Sequence, residues 1–133
     1  MQYLIDTNIC IRYLKGDSRN LASIISESDP GSIIICSVVR SELFYGVYKS
    51  DRVSQNLETL NRFLAIFSEK PFDSSAAAEF GRIRADLNKK GTPIGPYDLQ
   101  IAAIALVNNY TLITHNIKEF SRVDGLKIED WIA

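Results

Sequence analysis

Apolar residues along the chain follow two alternating patterns, short continuous runs and helical repeats. Continuous runs rich in β-branched residues, at 3–5, 32–36 and 111–114, predict strands buried on both faces. The shorter stretches 65–67 and 127–128 predict two further strands. Spacings of three and four residues predict helices over 7–15, 20–28, 38–49, 53–64, 74–90 and 96–108.

The alternation of strands with helices predicts the fold class. Strands separated by helices form parallel sheets, so we expect an α/β fold with four to five parallel strands and helices on both faces. The Asp29-Pro30-Gly31 segment and residues 91–96 are typical of turns, and no repeat or linker divides the chain. With 133 residues, the sequence predicts a single domain spanning 1–133.

Composition excludes several classes of protein. Hydrophobic residues make up 46% and charged residues 23% of the chain, which is typical of a globular protein and not of a disordered one. No apolar run is long enough for a membrane span, and Asp6 interrupts any signal-peptide core at the N-terminus. The net charge of −1 excludes a broadly basic nucleic-acid coat. Two cysteines without CxxC spacing, Cys10 and Cys36, are interpreted as core residues and favour the cytoplasm.

Four polar residues are predicted to meet at one edge of the sheet. Asp6 directly follows the first strand, and Asn116 lies two residues beyond the strand at 111–114. Glu42 lies one turn into the helix after the second strand, and Asp98 lies in the first turn of the helix at 96–108. Ligand sites in open α/β sheets lie outside the carboxyl ends of the strands. We therefore expect three acids and an amide to converge there.

Clustered carboxylates of this kind predict a metal site. Two carboxylates ~4 Å apart repel by roughly 4 kcal/mol at an effective dielectric of ~20, and oxygen ligands select Mg²⁺, with Mn²⁺ as the alternative. Such an ion lowers the pKa of bound water and neutralises charge on a phosphate, as phosphodiester hydrolysis requires. Catalysis by paired histidines is excluded because His115 is the only histidine.

The motifs around these residues resemble a known family. The segments are LIDTNIC (4–10), SELFYG (41–46), PIGPYDLQIAAIA (93–105), LITHNIKEF (112–120) and RVDGLKIEDW (122–131). In this order and combination they resemble the PIN-domain ribonucleases, and most closely the VapC toxins of bacterial toxin–antitoxin systems.

The resemblance implies a fold, an activity and partners. It implies a three-layer α/β/α domain and a magnesium-dependent endoribonuclease, with Asp6, Glu42 and Asp98 as metal ligands. Asn116 occupies the fourth motif position, where many relatives have Asp, so we expect it to act through a metal-bound water. The implied substrate is RNA, in particular a tRNA anticodon stem-loop. The implied partners are a VapB-type antitoxin and a second copy of the chain in a homodimer, all in the bacterial cytoplasm and without a membrane.

Structural roles are the alternative for each of these residues. Asp6 is also suited to a helix N-cap, Glu42 to a solvated helix face, Asp98 to the helix dipole, and Asn116 to an Asx turn. We interpret Tyr45 and Tyr48 as core residues, with an antitoxin-facing groove as the alternative. The basic residues near the motifs are interpreted as solvated, with phosphate contact as the alternative; they are Arg12, Arg40, Lys118 and Arg122.

Three other functions are alternatives to the nuclease. A phosphoaspartyl phosphatase also places an Asp after a strand, but it needs a second acid two residues later, where this chain has Asn8. A receiver domain needs an acidic pair and a late lysine, which we do not find. A catalytically inactive binding module is the third possibility, and the presence of all three carboxylates gives no reason to prefer it.

Overall fold

The computed structural model describes residues 1–132, which form one five-stranded sheet with helices packed on it. The strands are β1 (Tyr3–Ile5), β2 (Ile33–Cys36), β3 (Ser68–Lys70), β4 (Thr111–Ile113) and β5 (Lys127–Glu129). The helices are α1 (Thr7–Lys15), α2 (Arg19–Glu27), α3 (Ser37–Tyr48), α4 (Val53–Leu64), α5 (Ser74–Lys90), α6 (Pro96–Val107) and α7 (Ile117–Phe120). All strand pairs are parallel, and the sheet order is β3-β2-β1-β4-β5. The predicted α/β/α fold with a parallel sheet is confirmed.

The central position of β1 decides which residues meet at the edge of the sheet. Tyr3 pairs with Ile33 on one side and with Thr111 on the other, so β1, β2 and β4 run in step and end together. The backbone N–H of Asp6 donates to the carbonyl of Ile113 at 3.1 Å, which extends this pairing one residue past β1. Residues that directly follow β1, β2 and β4 therefore lie along a common edge.

Helix α6 packs closely on the core because its inner face is made of small and branched residues. Five consecutive residues, from Ile101 to Ala105, are completely buried. The helix begins at Pro96, where the missing N–H costs no intrahelical hydrogen bond. This packing holds the first turn of α6, with Asp98, at the edge of the sheet.

The sequence prediction of a strand at 65–67 was wrong. These residues form a turn after α4, in which Phe67 is buried and its ring lies 5.1 Å from that of Phe63. The strand itself, β3, follows at Ser68–Lys70 and is polar because it lies at the outer edge of the sheet. Helix α7 was not predicted, while α1, α4 and α5 have the predicted bounds and α2, α3 and α6 differ by one residue at one or both ends.

Membrane insertion finds no support in the described part of the chain. Within residues 1–132, no helix combines the length and the apolar character needed to cross a bilayer. The longest helix, α5, has 17 residues and alternates apolar with charged positions.

Candidate active site

The four predicted site residues line a single open pocket of about 270 Å³ at the carboxyl edge of the sheet. They are Asp6, Glu42, Asp98 and Asn116, and Thr7, Asn8, Ile11 and Phe120 complete the lining. Glu42, Asp98 and Asn116 follow Asp6 in the sequence by 36 to 110 positions, yet all four residues surround one space. The parallel topology predicts this arrangement. We call this space the acidic pocket.

Asp6 is fixed by hydrogen bonds at the bottom of the acidic pocket. It is only 5% exposed, and its Oδ1 accepts from the backbone N–H of Ile9 at 2.9 Å, so it also caps α1. Burial raises the pKa of this carboxyl group, although hydrogen bonds from Thr114 and Ile9 act in the opposite direction. Glu42 contributes a further increase by repulsion. Asp6 is therefore an N-cap, and within residues 1–132 its carboxylate forms no salt bridge.

Glu42 is held by a residue of another helix. The hydroxyl of Thr7, at the start of α1, donates to Oε1 of Glu42 on α3 at 2.6 Å. The two residues are 35 positions apart in sequence, and both line the acidic pocket. This bond fixes one carboxylate oxygen of Glu42 and joins α1 to α3 at the pocket wall.

The carboxyl group of Asp98 has a strongly raised pKa. Its pKa is raised to about 7, first by burial, then by a hydrogen bond and charge repulsion with Glu119, and then by repulsion from Asp6 and Glu42. Asp98 therefore binds a proton close to neutral pH. All the acidic neighbours act in the same direction, so the pocket concentrates negative charge.

Glu119 is the acidic residue that sequence reasoning missed. Its Oε2 accepts from Nδ2 of Asn116 at 3.1 Å, and its Oε1 accepts from the backbone N–H of Gly95 at 3.4 Å. The side chain of Asn116 therefore connects Glu119 to the acidic pocket, so the role of Asn116 is not limited to forming a turn. The available signal was the three-residue spacing of Asn116 and Glu119, which brings the two side chains together only if residues 117–120 are helical.

The donor set of the acidic pocket fits a hard divalent cation. Carboxylates of Asp6, Glu42 and Asp98 offer oxygen ligands, and Glu119 lies beside them. The pKa values of Asp6 and Asp98 are raised first by burial and then by repulsion between the carboxylates, and a bound cation would offset both effects. Within residues 1–132, no three Asp, Glu, His or Cys side chains lie close enough together, as oriented in this structure, to hold a metal ion. In this state Thr7 and Asn116 hold carboxylate oxygens of Glu42 and Glu119 instead.

The guanidinium of Arg40 is held by groups of the protein itself. Its guanidinium donates to the backbone carbonyls of Ile35, Leu64 and Phe67 and pairs with Glu69 at 3.2 Å. Arg40 therefore joins β2, α4 and β3, so its interpretation as a solvated charge was wrong, and the alternative of a phosphate contact stays a prediction.

Tyr45, Tyr48 and His115 all lie at the protein surface. Tyr45 and Tyr48 are 67% and 63% exposed, so their interpretation as core residues was wrong. His115 is half exposed, with Nδ1 lying 2.8 Å from a carboxylate oxygen of Asp130, and it does not line the acidic pocket. Cys10 and Cys36 are buried in the core, as predicted.

Comparison with known proteins identifies relatives over nearly the whole chain. Residues 3–126 match the PIN domain. The chain is 36% identical over 131 residues to the tRNA(fMet)-specific endonuclease VapC of Shigella flexneri, with 98% of both chains covered. It is 39% identical over 134 residues to ribonuclease VapC2 of Rickettsia felis, again with 98% of both covered.

Solved structures agree with this assignment. DNA-bound VapBC from Salmonella typhimurium is similar with a TM-score of 0.93 and 35% identity, covering 98% of both chains. VapBC2 from Rickettsia felis, bound to a promoter DNA fragment, is similar with a TM-score of 0.92 and 36% identity. That alignment covers 98% of this chain and 99% of the other.

Proposed function

Because the chain belongs to the PIN-domain family, we propose that it is a ribonuclease toxin of the VapC type that hydrolyses RNA with Mg²⁺ or Mn²⁺. The observation that carries the proposal is the acidic pocket. Asp6, Glu42 and Asp98 surround one space at the carboxyl edge of the sheet and act on one another electrostatically. Relatives with 36% and 39% identity over nearly the full chain carry the names endonuclease and ribonuclease, which supports the same activity.

Asp6, Glu42 and Asp98 would hold the metal ion. A bound Mg²⁺ supplies a water of lowered pKa and neutralises charge that develops on the phosphate. Asp6 supplies a buried carboxylate whose direction the Ile9 N–H fixes, and Thr7 fixes that of Glu42. Asp98 must release its proton to bind the ion, and Glu119 is the neighbouring group whose hydrogen bond and charge favour the protonated form of Asp98. Asn116 is uncharged and orients Glu119, so we propose one tightly held ion and a role for Asn116 through water.

The proposed substrate is the anticodon stem-loop of a tRNA. The support is the name of a relative at 36% identity, a tRNA(fMet)-specific endonuclease. The proposed partner is a VapB-type antitoxin, because the solved relatives are VapBC complexes, and we further propose that the toxin forms a homodimer. A tRNA target would place the protein in the bacterial cytoplasm.

Purified protein and total RNA test this function. Cleavage should stop in EDTA and return with Mg²⁺ or Mn²⁺, and Asp6→Asn should not cleave. Sequencing of RNA 5′ ends after brief expression should show one new end within a tRNA anticodon loop. Undiminished cleavage in EDTA would contradict the metal mechanism, and new ends scattered over messenger RNA would contradict the tRNA substrate.

A further inference from the structure

A second recess opens beside the acidic pocket and shares part of its wall. The recess has a volume of about 490 Å³ and includes Thr7, Ile11 and Glu42, which also line the acidic pocket. Its outer wall carries Tyr45 and Tyr97. We call it the tyrosine recess. Any chain that lies in the acidic pocket can continue into this recess without leaving the protein surface.

Helix α3 arranges three different groups along the face that borders the recess. Glu42, Tyr45 and Lys49 are spaced by three and four residues, so they lie on one face of the helix, about 10 Å apart from first to last. The ammonium of Lys49 lies 4.9 Å from the centroid of the Tyr45 ring. A carboxylate, an aromatic ring and a cation therefore follow one another away from the acidic pocket.

Both tyrosine rings of the recess remain open to solvent. Tyr45 is 67% exposed, and Tyr97, which directly precedes Asp98 on α6, is 56% exposed. Exposed rings that do not contribute to the core leave apolar surface in water, which is unfavourable unless a ligand covers it. Their position on two helices that each supply a residue to the acidic pocket links this surface to the site.

We propose that the tyrosine recess binds an unpaired nucleotide next to the cleaved phosphodiester, with its base stacked on Tyr45 or Tyr97 and its phosphate at Lys49. The inference rests on the proposed ribonuclease function and specifies its substrate class as unpaired RNA. Aromatic rings combined with a cation are the surface that single-stranded nucleic acids bind, whereas a paired base has no free face to stack. Lys49 is the cationic residue among those that line the recess. It would attract a phosphate that the acidic pocket alone would repel.

Binding measurements test the recess independently of catalysis. A fluorescein-labelled single-stranded oligoribonucleotide of mixed sequence is titrated with Asp6→Asn protein in Mg²⁺, so that the RNA stays intact, and polarisation is recorded. Adding Tyr45→Ala or Tyr97→Ala should weaken binding about 5- to 150-fold, because stacking contributes about 1–3 kcal/mol per base. Tyr45→Phe and Tyr97→Phe should bind within about twofold of the parent, since the ring is kept. Lys49→Gln should lower the slope of log K against log salt by about 0.7.

Tyr48→Ala is the matched control, because Tyr48 lies on the same helix, is 63% exposed and does not line the recess. It should bind RNA as the parent does, and the same RNA annealed to its complement should bind without dependence on Tyr45. Equal affinities for Tyr45→Ala, Tyr97→Ala and Tyr48→Ala would overturn the proposal, as would a failure of the parent protein to bind the oligonucleotide. A change in oligomeric state on size exclusion with unchanged RNA affinity would instead assign the tyrosines to a protein interface.

The outcome separates this proposal from the ribonuclease function. If the wild-type protein fails to cleave RNA while binding still depends on Tyr45 or Tyr97, the recess is supported and the catalytic function is wrong. If the wild-type protein cleaves RNA while both alanine variants bind and cleave normally, the function is supported and the recess proposal is overturned. In the wild-type background, a KM that rises with little change in kcat would indicate substrate binding.

Discussion

Thr7 holds Glu42 at the wall of the acidic pocket, through a 2.6 Å hydrogen bond between residues on two different helices. The bond selects one orientation of the Glu42 carboxylate in the metal-free protein. Groups that orient a metal ligand in this way typically contribute 10- to 100-fold to metal affinity. Thr7 is therefore a positioning residue for the proposed metal site.

Thr7→Val should weaken Mg²⁺ binding by about 10-fold, because it keeps the shape of the side chain and removes the donor. Isothermal titration with Mg²⁺ measures the effect, and the Tm of the metal-free protein should change little. Thr7→Ser, which keeps the hydroxyl, should retain affinity near that of the wild type. Equal affinities for the valine and serine variants would show that the bond does not orient Glu42 toward the ion.

Asp6 combines a charge with an N-cap, and two substitutions separate these roles. Asp6→Asn keeps an oxygen for the Ile9 N–H and removes a buried charge, so the free energy of unfolding at pH 8 should not fall below that of the wild type. Asp6→Ala also removes the cap and should be about 1 kcal/mol less stable than Asp6→Asn. Urea unfolding in EDTA measures both. An Asp6→Asn protein less stable than Asp6→Ala would contradict this account of the cap.

Asn109 ends α6 in the left-handed region, with φ of 57°. This conformation lets Tyr110 N–H donate to the carbonyl of Ala105 at 2.9 Å and close the helix. Asn109→Ala should lower the free energy of unfolding by about 1 kcal/mol, whereas Asn109→Gly should be neutral or slightly stabilising. Asn88→Ala, at an exposed position inside α5, is the control and should not destabilise the protein. Equal losses for Asn109→Ala and Asn109→Gly would point to the side chain instead of the backbone.

The sequence predicted the fold and the site correctly where the spacing of hydrophobic residues and the parallel topology indicate the same arrangement. The apolar runs around Leu4 and Ile34 form fully paired strands, and their parallel order brings Asp6 and Glu42 to the same edge. Asp98 was located because its helix has a buried face of small residues and starts at a proline. These features depend on local pattern and on the geometry of parallel sheets.

The remaining features depend on tertiary contacts that the local pattern does not encode. Strand β3 is polar because it lies at the edge of the sheet, where it pairs with β2 through the backbone and Glu69 pairs with Arg40. Arg40 donates to the backbone carbonyls of Leu64 and Phe67, which are distant from it in sequence. Tyr45 lies on the side of α3 that faces solvent. Glu119 lies on a four-residue helix too short for a periodic signal.

The pKa of Asp98, raised to about 7, predicts a pH dependence of stability in the metal-free protein. An unfolded Asp titrates near 3.9, so between about pH 4 and 7 the folded state binds more protons than the unfolded state. The stabilisation from this proton is complete below about pH 4 and is lost as the pH rises through 7. In EDTA, the Tm should therefore fall from pH 5 to pH 8, and Asp98→Asn should reduce that fall because it cannot ionise.

Glu119→Gln should reduce the same fall to a lesser extent, because it removes the neighbouring charge that raises the pKa of Asp98 after burial does. With saturating Mg²⁺ the wild-type trend should reverse, since a cation binds the ionised carboxylate and its affinity increases with pH toward and just above 7. Thermal unfolding at each pH, with EDTA or with Mg²⁺, measures both effects. A metal-free Tm that is flat from pH 5 to pH 8 in the wild type would contradict the raised pKa of Asp98.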